Sequence, residues 1–439
     1  MTLPTNILKQ VITYNDGGLA YLQNLNCFVS TFNTKFLNFQ NIEGNLGDTV
    51  QFDLPPRSIA VTGLVASFQP AEQRYATLAC TQAANASMAF TAQQFVFNVK
   101  DYMEKFGKSR VEELSAQIES NVALNNVSKV PVMTVNNQGQ SVPTGAFYTD
   151  SGPYRFYGDG VTPINSFGQL AQMLAMYRNY GAPNGAPNVY LDDLAVPSIV
   201  NSGLGQFVPA RNDVIANSWD LGTYKGSNAR FYQSNLLPTH TAGSVGDEAK
   251  TLTVVSTNDP TGANITEITF SGASASDSDA LKMGDLLQFQ DGVSGQPNLR
   301  YLTFTGHKVS GNPVQIRALS NDASTGGGQI TVEVYPPLSS VPGPNQNLNH
   351  NIVAGMQAKA LPSHRAGVII GGNAGFLAMP RLPDESPYAT GTKTDKDTGV
   401  SLRTYYGSLF GQNTRGIIND AIWNSMIVPE YSMRIIFPM

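Results

Sequence analysis

Polar and apolar residues alternate from Thr49 through Val50, Gln51, Phe52 and Asp53 to Leu54 in the stretch LGDTVQFDLPPRSIAVTGLVASFQP (46–70). An extended pattern resumes after Pro55 and Pro56. A period of two marks a strand with one covered face, and proline, which lacks an N–H, disqualifies a central strand at that point. The pattern predicts a protruding β-hairpin. A second β-prone run, FTAQQFVFNVK, ends at Lys100 and feeds the clearest helical pattern in the chain, about residues 101–124. There Tyr102, Phe106, Leu114, Ile118 and Val122 recur at four-residue steps or multiples of four, with Val111 beside them. The stripe is amphipathic, and at 1.5 Å per residue it predicts a strut of about 35 Å.

A second helix is predicted over about 164–180, where Ile164, Phe167, Leu170, Ala171, Leu174 and Tyr177 keep helical spacing, Pro163 stands near the first turn and GAPNGAPN stops it. NVYLDDLAVPSIV then predicts a buried strand and a short helix starting near Ser198, a usable N-cap. Between about 244 and 337 the pattern changes to short β-rich runs: TLTVVST, ITEITFS, DLLQFQ, RYLTFTGHKV, PVQIRALS and QITVEVY, separated by Gly, Asn, Asp, Ser and Pro clusters. Turn signals every 8 to 15 residues or so mark a small all-β barrel or sandwich. We read it as an inserted domain, with VPGPNQNLNH as the boundary before a core run in GVIIGGNAGFLAMPRLP.

The first 44 residues carry scattered aromatics (Tyr14, Tyr21, Phe28, Phe32, Phe36, Phe39) without a sustained helical period. They read as an arm, which at about 3.3 Å per residue reaches up to ~145 Å when extended, far enough to lie on a neighbouring subunit. Composition supports a protein that works by its surfaces. Of 439 residues only 13% are charged, the net charge is −5, and no basic field is present to draw the chain to nucleic acid or an anionic membrane. No signal peptide and no run of about 18 apolar residues is found, so the expectation is a soluble intracellular product. Cys27 and Cys80 read as singly buried thiols.

Motifs for catalysis or cofactors are missing. His240, His307, His350 and His364 stand isolated, with no HExxH, CxxC, Walker A, GxGxxG after a strand, or GxSxG elbow. TDKDTG (394–399) spaces Asp395 and Asp397 as a calcium loop begins, but the Gly is early and the distal Glu is absent. Asp192 and Asp193 are adjacent on a predicted strand and point to opposite faces, which favours a capping or turn role. Three Asn-x-Ser/Thr sites, at Asn85, Asn126 and Asn264, occur without a secretion signal. Arg57 and Arg74, with Asp48, Asp53 and Glu72 nearby, are candidates to pair across subunits. No catalytic, metal or cofactor-binding residue is assigned.

The order of these elements, together with WDLGTYKGSNARFYQSNLLPTHTAG (219–243), ALKMGDLLQFQ (280–290), SHRAGVIIGGNAGFLAMPRLP (363–383), DTGVSLRTYYG (397–407) and VPEYSMRI (428–435), resembles the major capsid proteins of tailed phages. These have the Hong Kong 97-type fold, and the likeness is greatest to coat proteins of short-tailed phages that carry an inserted barrel. It extends over about nine-tenths of the chain. The resemblance implies an α+β, Hong Kong 97-type capsid fold in six parts: an arm (1–44), an extended loop hairpin (45–75), a peripheral domain (76–160) with the spine helix 101–124, a first axial part (161–243), the inserted barrel (244–337), and a second axial part with closing peripheral strands (338–439). The axial domain itself is expected from segments near 160–240 and 350–425.

The function it implies is a major capsid protein that self-assembles into the icosahedral shell around double-stranded DNA, without catalytic activity and without sequence-specific binding. Implied partners are copies of the chain in hexamers and pentamers, a separate scaffolding protein, a portal and a decoration protein, with assembly in the host cytoplasm and residence in the virion. Phe28, Phe32, Phe36, Asp48, Phe52, Asp53, Arg57, Glu72 and Arg74 are the candidate inter-subunit contacts, and Tyr102, Phe106, Leu114, Ile118 and Val122 the spine-helix packing residues. The sequence departs from some relatives in having no Lys between Leu46 and Pro70, so no Lys–Asn crosslink is expected from that loop. The alternatives weighed are a tail or baseplate structural protein and a β-rich hydrolase.

Overall fold

The four-residue apolar spacing forms a helix over 109–123, continued by a π-helical turn at Leu124–Ser128. Val111, Leu114, Ile118 and Val122 are all buried, at 2% exposure or less. The structure, a computed structural model, describes residues 27–34, 49–54, 74–91, 109–128, 133–135, 141–143, 152–182, 185–197, 199, 229–304, 306–383, 389–394, 400–408 and 414–439. Tyr102 and Phe106 lie outside the described residues, as does the predicted run from Ala92 to Lys100. No helix among the described residues is long and apolar enough to cross a membrane.

The chain divides into two compact units. One comprises Met1–Val50, Leu78–Ala123 and Gly375–Met426. Its frame is a five-stranded sheet: the 14-residue strand Thr414–Ile427 pairs antiparallel with Gln82–Thr91 on one side and Ser401–Ser408 on the other. Ala389–Thr394 extends it beyond Ser401–Ser408, and Gly375–Ala378 pairs with the long strand. The helix 109–123 is tied to this sheet by Arg110, whose guanidinium donates to Ile417 O at 2.9 Å and to Ala86 O, and by Asn121 Nδ2, which donates to Gln82 Oε1 at 3.4 Å. Trp423, Leu377 and Leu402 are buried here.

The second unit comprises Gln51–Thr77, Leu124–Ala374 and Ile427–Met439 and contains two β structures. A six-stranded mixed sheet runs Phe156–Tyr157, Ser432–Pro438, His364–Ile370, Asn188–Asp192, Arg230–Ser234, with Thr239–His240 pairing on His364–Ile370. Its outer pairs, Phe156–Tyr157 with Ser432–Pro438 and Asn188–Asp192 with Arg230–Ser234, are parallel. The helix Phe167–Asn179 begins after its N-cap Ser166, later than the expected start near Ile164, because Ser166 and Gln169 form a reciprocal capping box: Ser166 Oγ accepts the Gln169 N–H and Gln169 Oε1 accepts the Ser166 N–H, each at 3.2 Å. Leu170, Leu174 and Tyr177 join Val189, Ile369 and Ile435 in one apolar cluster. The short helix after the strand starts at 196, ahead of Ser198.

The other β structure is a closed six-stranded barrel: Thr251–Thr257, Ile265–Ser271, Gln329–Leu338, Gln315–Ala318, Leu286–Phe289 and Gln357–Ala360. Two expectations are corrected here. RYLTFTGHKV is not one barrel strand: the backbone turns at Gly306 and His307, both with positive φ, and Arg300–Leu302 and Val309–Pro313 pair as a separate two-stranded sheet. The place goes to Gln357–Ala360, which pairs with both Thr251–Thr257 and Leu286–Phe289 and leaves no open edge. The barrel therefore runs past the expected boundary at 337. The linker VPGPNQNLNH folds against it, with Leu348 fully buried and its N–H bonded to Ser339 O at 2.9 Å.

The unit boundaries also differ from the expected ones. Residues 375–426, partly assigned to an axial domain, cluster with the helix 109–123, while 124–160 belongs with the mixed sheet. Thr49–Leu54 ends at the predicted Pro55 and pairs with Arg74–Ala79, while the residues directly after the prolines lie outside the described residues.

Candidate functional site

His240 and His364 are register partners in the mixed sheet, one on the strand that leads into the barrel and one on the strand that leaves it. The barrel is thus inserted at a single two-strand neck. Both rings are buried, at 8% and 0% exposure, with centroids 5.3 Å apart. His240 Nε2 lies 2.7 Å from Asp285 Oδ1, just ahead of the barrel strand Leu286–Phe289. The other Asp285 oxygen accepts the N–H groups of Lys282 (2.8 Å) and Gly243 (3.1 Å), so this fully buried carboxylate stitches the barrel to the incoming chain.

His364 Nδ1 lies 2.7 Å from Pro362 O, a carbonyl that only accepts, so Nδ1 carries the proton. Burial and the neighbouring Arg434 guanidinium push His364 down to about 2, and it is neutral. Burial also lowers His240, against the pull of Asp285. Arg434 and Arg317 are both fully buried; burial drives Arg434 well below the usual guanidinium range, with Arg317 adding repulsion, and holds Arg317 at about 10.

Around this charged centre two further contacts seat the barrel. Gln315, on the barrel, donates its side-chain amide to Phe156 O at 2.9 Å and accepts the Phe156 N–H at 2.8 Å. It acts as one more rung on the open edge of the mixed sheet. Beside it, Tyr335 of the barrel and Tyr301 of the two-stranded sheet pack edge-on or tilted against Tyr154 at 5.7 and 5.9 Å, and Tyr301 and Phe304 pack on Tyr180 at 5.2 and 4.7 Å. Tyr154 and Tyr180 share a hydroxyl hydrogen bond of 2.6 Å, and Arg155 lies 4.0 Å over the Tyr180 ring while donating to Glu430 O at 2.9 Å and Ser432 O at 3.1 Å.

A His–Asp pair is also the kit of a general base, but such a base must stand within about 3 Å of a substrate proton. With exposures of 8% and 0%, His240 and Asp285 meet only protein. Among the described residues no group of three His, Cys, Asp or Glu is placed to hold a metal. What the arrangement does is fix the orientation of the barrel on the sheet.

The sequence-assigned contact residues fall elsewhere. Phe28 and Phe32, read as awaiting a neighbouring subunit, are 0% and 7% exposed within the chain's own fold, which corrects that part of the arm. Phe28 lies in the helix Cys27–Thr31, and the Phe32 ring faces Gly375, where an added Cβ would come within 2.8 Å of it. Phe52 and Asp53 on Thr49–Leu54 and Arg74 on Arg74–Ala79 are brought into one two-stranded sheet. Phe36, Asp48, Arg57 and Glu72 lie outside the described residues. Asp192 is a turn residue, accepting the Leu194 N–H at 3.3 Å, and it also pairs with Arg365.

The junction residues were missed because no local motif joins positions as distant as 240, 285, 317, 364 and 434. The available signal was weaker: a lone Arg in the apolar runs VQIRALS and SMRIIFP. Lys, Arg, Asp and Glu are almost never fully buried unless paired, so such a residue asks for a partner.

No family model and no curated protein matches this chain. Among solved structures the chain is similar to one from Mycobacterium phage Che8, at 10% identity and a TM-score of 0.41 over 93% of this chain and 90% of that one. It is similar to the capsid of Ralstonia phage GP4, at 9% identity and a TM-score of 0.39 over 91% and 86%, and to the capsid of the cyanophage P-SCSP1u, at 10% identity and a TM-score of 0.35 over 89% and 84%.

Proposed function

We propose that this chain is the major capsid protein of a tailed bacteriophage, with a Hong Kong 97-type fold and an inserted barrel, and that it tiles with its own copies in hexamers and pentamers around double-stranded DNA. The observation that carries the reading is the order of elements. Paired strands, a long strut helix, a mixed sheet, a closed barrel entered at His240 and left at His364, and long antiparallel strands follow one another as the sequence resemblance implies. In this reading the unit with the helix 109–123 is the peripheral domain, the mixed sheet is the axial domain, and the barrel is a stabilising module on it. The strands Thr49–Leu54 and Arg74–Ala79 form the base of the extended loop that overlaps a neighbour.

The low charge suits the task, since uncharged polar residues can face neighbours without leaving unpaired charges in a contact, and weak contacts to several neighbours sum through effective concentration. The protein acts without catalysis. Its partners are a separate scaffolding protein, a portal and a decoration protein, and it is assembled in the host cytoplasm and resides in the virion.

Electron microscopy of the purified chain with a candidate scaffolding protein tests this: closed shells are expected, and tubes, spikes or a strict monomer at every concentration would overturn it. With Phe28 and Phe32 in the core, the arm proper is residues 1–26. A chain lacking 1–26 is expected to fold and to fail at closed shells; normal particles from it would remove the arm's role.

A further inference from the structure

The strand Gln82–Thr91 has one partner strand, and its ladder with Thr414–Ile427 runs unbroken from Thr91 opposite Thr414 to Gln82 opposite Trp423. Arg110 shows which of its backbone groups face inward. A single guanidinium nitrogen, Nη2, donates to both Ala86 O and Ile417 O. With Ala86 opposite Asn419 and Met88 opposite Ile417, these two carbonyls come together only in the wide ring around Ser87 and Ile418, each pointing across to the other strand. Ala84, Ala86 and Met88 therefore turn their N–H and C=O groups onto Thr414–Ile427, and Ala83, Asn85, Ser87 and Ala89 turn theirs away from it. Nothing among the described residues bonds to these outward groups, and the four side chains that go with them are exposed.

An open edge recruits a further strand unless a charge, a proline, a bulge or shortness blunts it. QAANASMAFT has none of these devices: it is ten residues long, uncharged, free of proline and without a register shift. We propose that this edge pairs with the same edge of a second copy, antiparallel about a two-fold axis at Ala86, so that two five-stranded sheets join into one.

One register satisfies all the outward groups. With Ala86 opposite its own equivalent, Asn85 meets Ser87 and Ala83 meets Ala89 as hydrogen-bonded pairs, and every outward N–H finds a C=O. A slip of two residues carries Ala83 or Ala89 to the end of the partner strand or past it. Opposed residues are both even or both odd, so the faces that carry the strut helix continue one another. The lack of charge selects a like partner. About a two-fold axis a charged side chain would face or flank its own kind, whereas complementary charge is what marks an edge for an unlike protein. Ten residues of strand edge fall well short of the ~1,600 Å² of a standard interface, so the contact is weak alone and depends on concentration. The pairing adds one contact between copies to the shell reading, but it is measured without particles, and the two fail separately.

Residue-resolved hydrogen exchange of the full chain, from dilute to concentrated solution, tests this. The amides of Ala84, Ala86 and Met88 are expected to be protected throughout. Those of Ala83, Asn85, Ser87 and Ala89 are expected to exchange freely when dilute and to gain roughly tenfold protection or more on concentration. If they exchange freely at every concentration and in any particles that form, or are already protected in the dilute monomer, the proposal is overturned, whether or not shells close. Protection that appears only when another protein is added assigns the edge to that protein and overturns it too. Ala86→Cys reads the register: opposed Cα atoms in a non-hydrogen-bonded pair are about 4.5 Å apart, within disulfide reach, so oxidation is expected to yield a dimer linked at that position, mapped by mass spectrometry. Ala84→Cys is expected to yield none, since two equivalents of position 84 would stand about 14 Å apart. Equal linkage at both positions is collision and overturns the two-fold pairing.

Discussion

Acid should loosen the neck of the barrel through His364, and the size of the effect can be worked from its surroundings. The ring is 0% exposed, has its Nδ1–H on Pro362 O, and faces Arg434, Arg317 and His240. A proton on Nε2 would add a cation to a site that already buries two guanidinium groups. The folded-state value therefore falls from 6.5 to about 2. A base depressed in this way contributes stability that is fully present above the unfolded value and drains as pH drops below it, because the unfolded chain then binds a proton that the folded chain refuses. From pH 7 to pH 4.5 the loss is about 2.5 kcal/mol, at about 1.4 kcal/mol per unit once below 6.5. His240, also lowered, adds to it in the same direction.

The assay is exchange of the buried amides of His364–Ile370, whose opening free energy reports unfolding of the mixed sheet. Asn at 364 offers an amide N–H to Pro362 O but does not titrate, so the difference between wild type and His364→Asn removes the slope due to carboxylates. The wild type should lose about 2.5 kcal/mol more than the variant over that range. Equal losses in the two proteins would mean that the ring is hydrated in the folded state, and the account of the neck would be wrong.

Two other changes probe different contacts. Gln315→Leu keeps the barrel strand but strips both partners from the Phe156 backbone; the cost should be about 2 to 4 kcal/mol, seen as selective loss of exchange protection at Phe156 and Arg317, and an unchanged junction would refute the rung. Ile118→Ala opens a hole at a 0% exposed position of the strut helix and should lower urea stability by about 3 kcal/mol, whereas a loss under 1 kcal/mol would place the side chain at a surface.

The elements that the sequence displayed were those whose pattern is local. Leu114, Ile118 and Val122 announce a helix because the period is carried by neighbours in sequence, and the β-rich runs between 251 and 338 do the same for most of the barrel. What could not be read depends on closure. Nothing in QAKA marks Gln357–Ala360 as a strand until two open barrel edges require one, and QAANASMAFT, poor in β-branched residues, becomes a ten-residue strand because the long Thr414–Ile427 offers it a ladder. Phe28 and Phe32 misled for the same reason. Two aromatics in a stretch without period look unpartnered, yet Phe28 packs on Phe32, and Phe32 on a glycine some 340 residues downstream.

A buried polar neck is a costly way to attach a domain, since apolar residues of similar volume often hold an interface as well or better. Its distinguishing property is selectivity of geometry. Apolar faces tolerate a slide of an ångström, but the Gln315 rung and the His240–Asp285 contact fail together if the barrel rotates, and each failure leaves a buried polar group unsatisfied. The barrel is thus seated in one orientation or not seated. Under the proposed shell reading, in which every copy presents the same outline to its neighbours, a module free to tilt would blur the contacts between copies, and a neck with one allowed orientation prevents that.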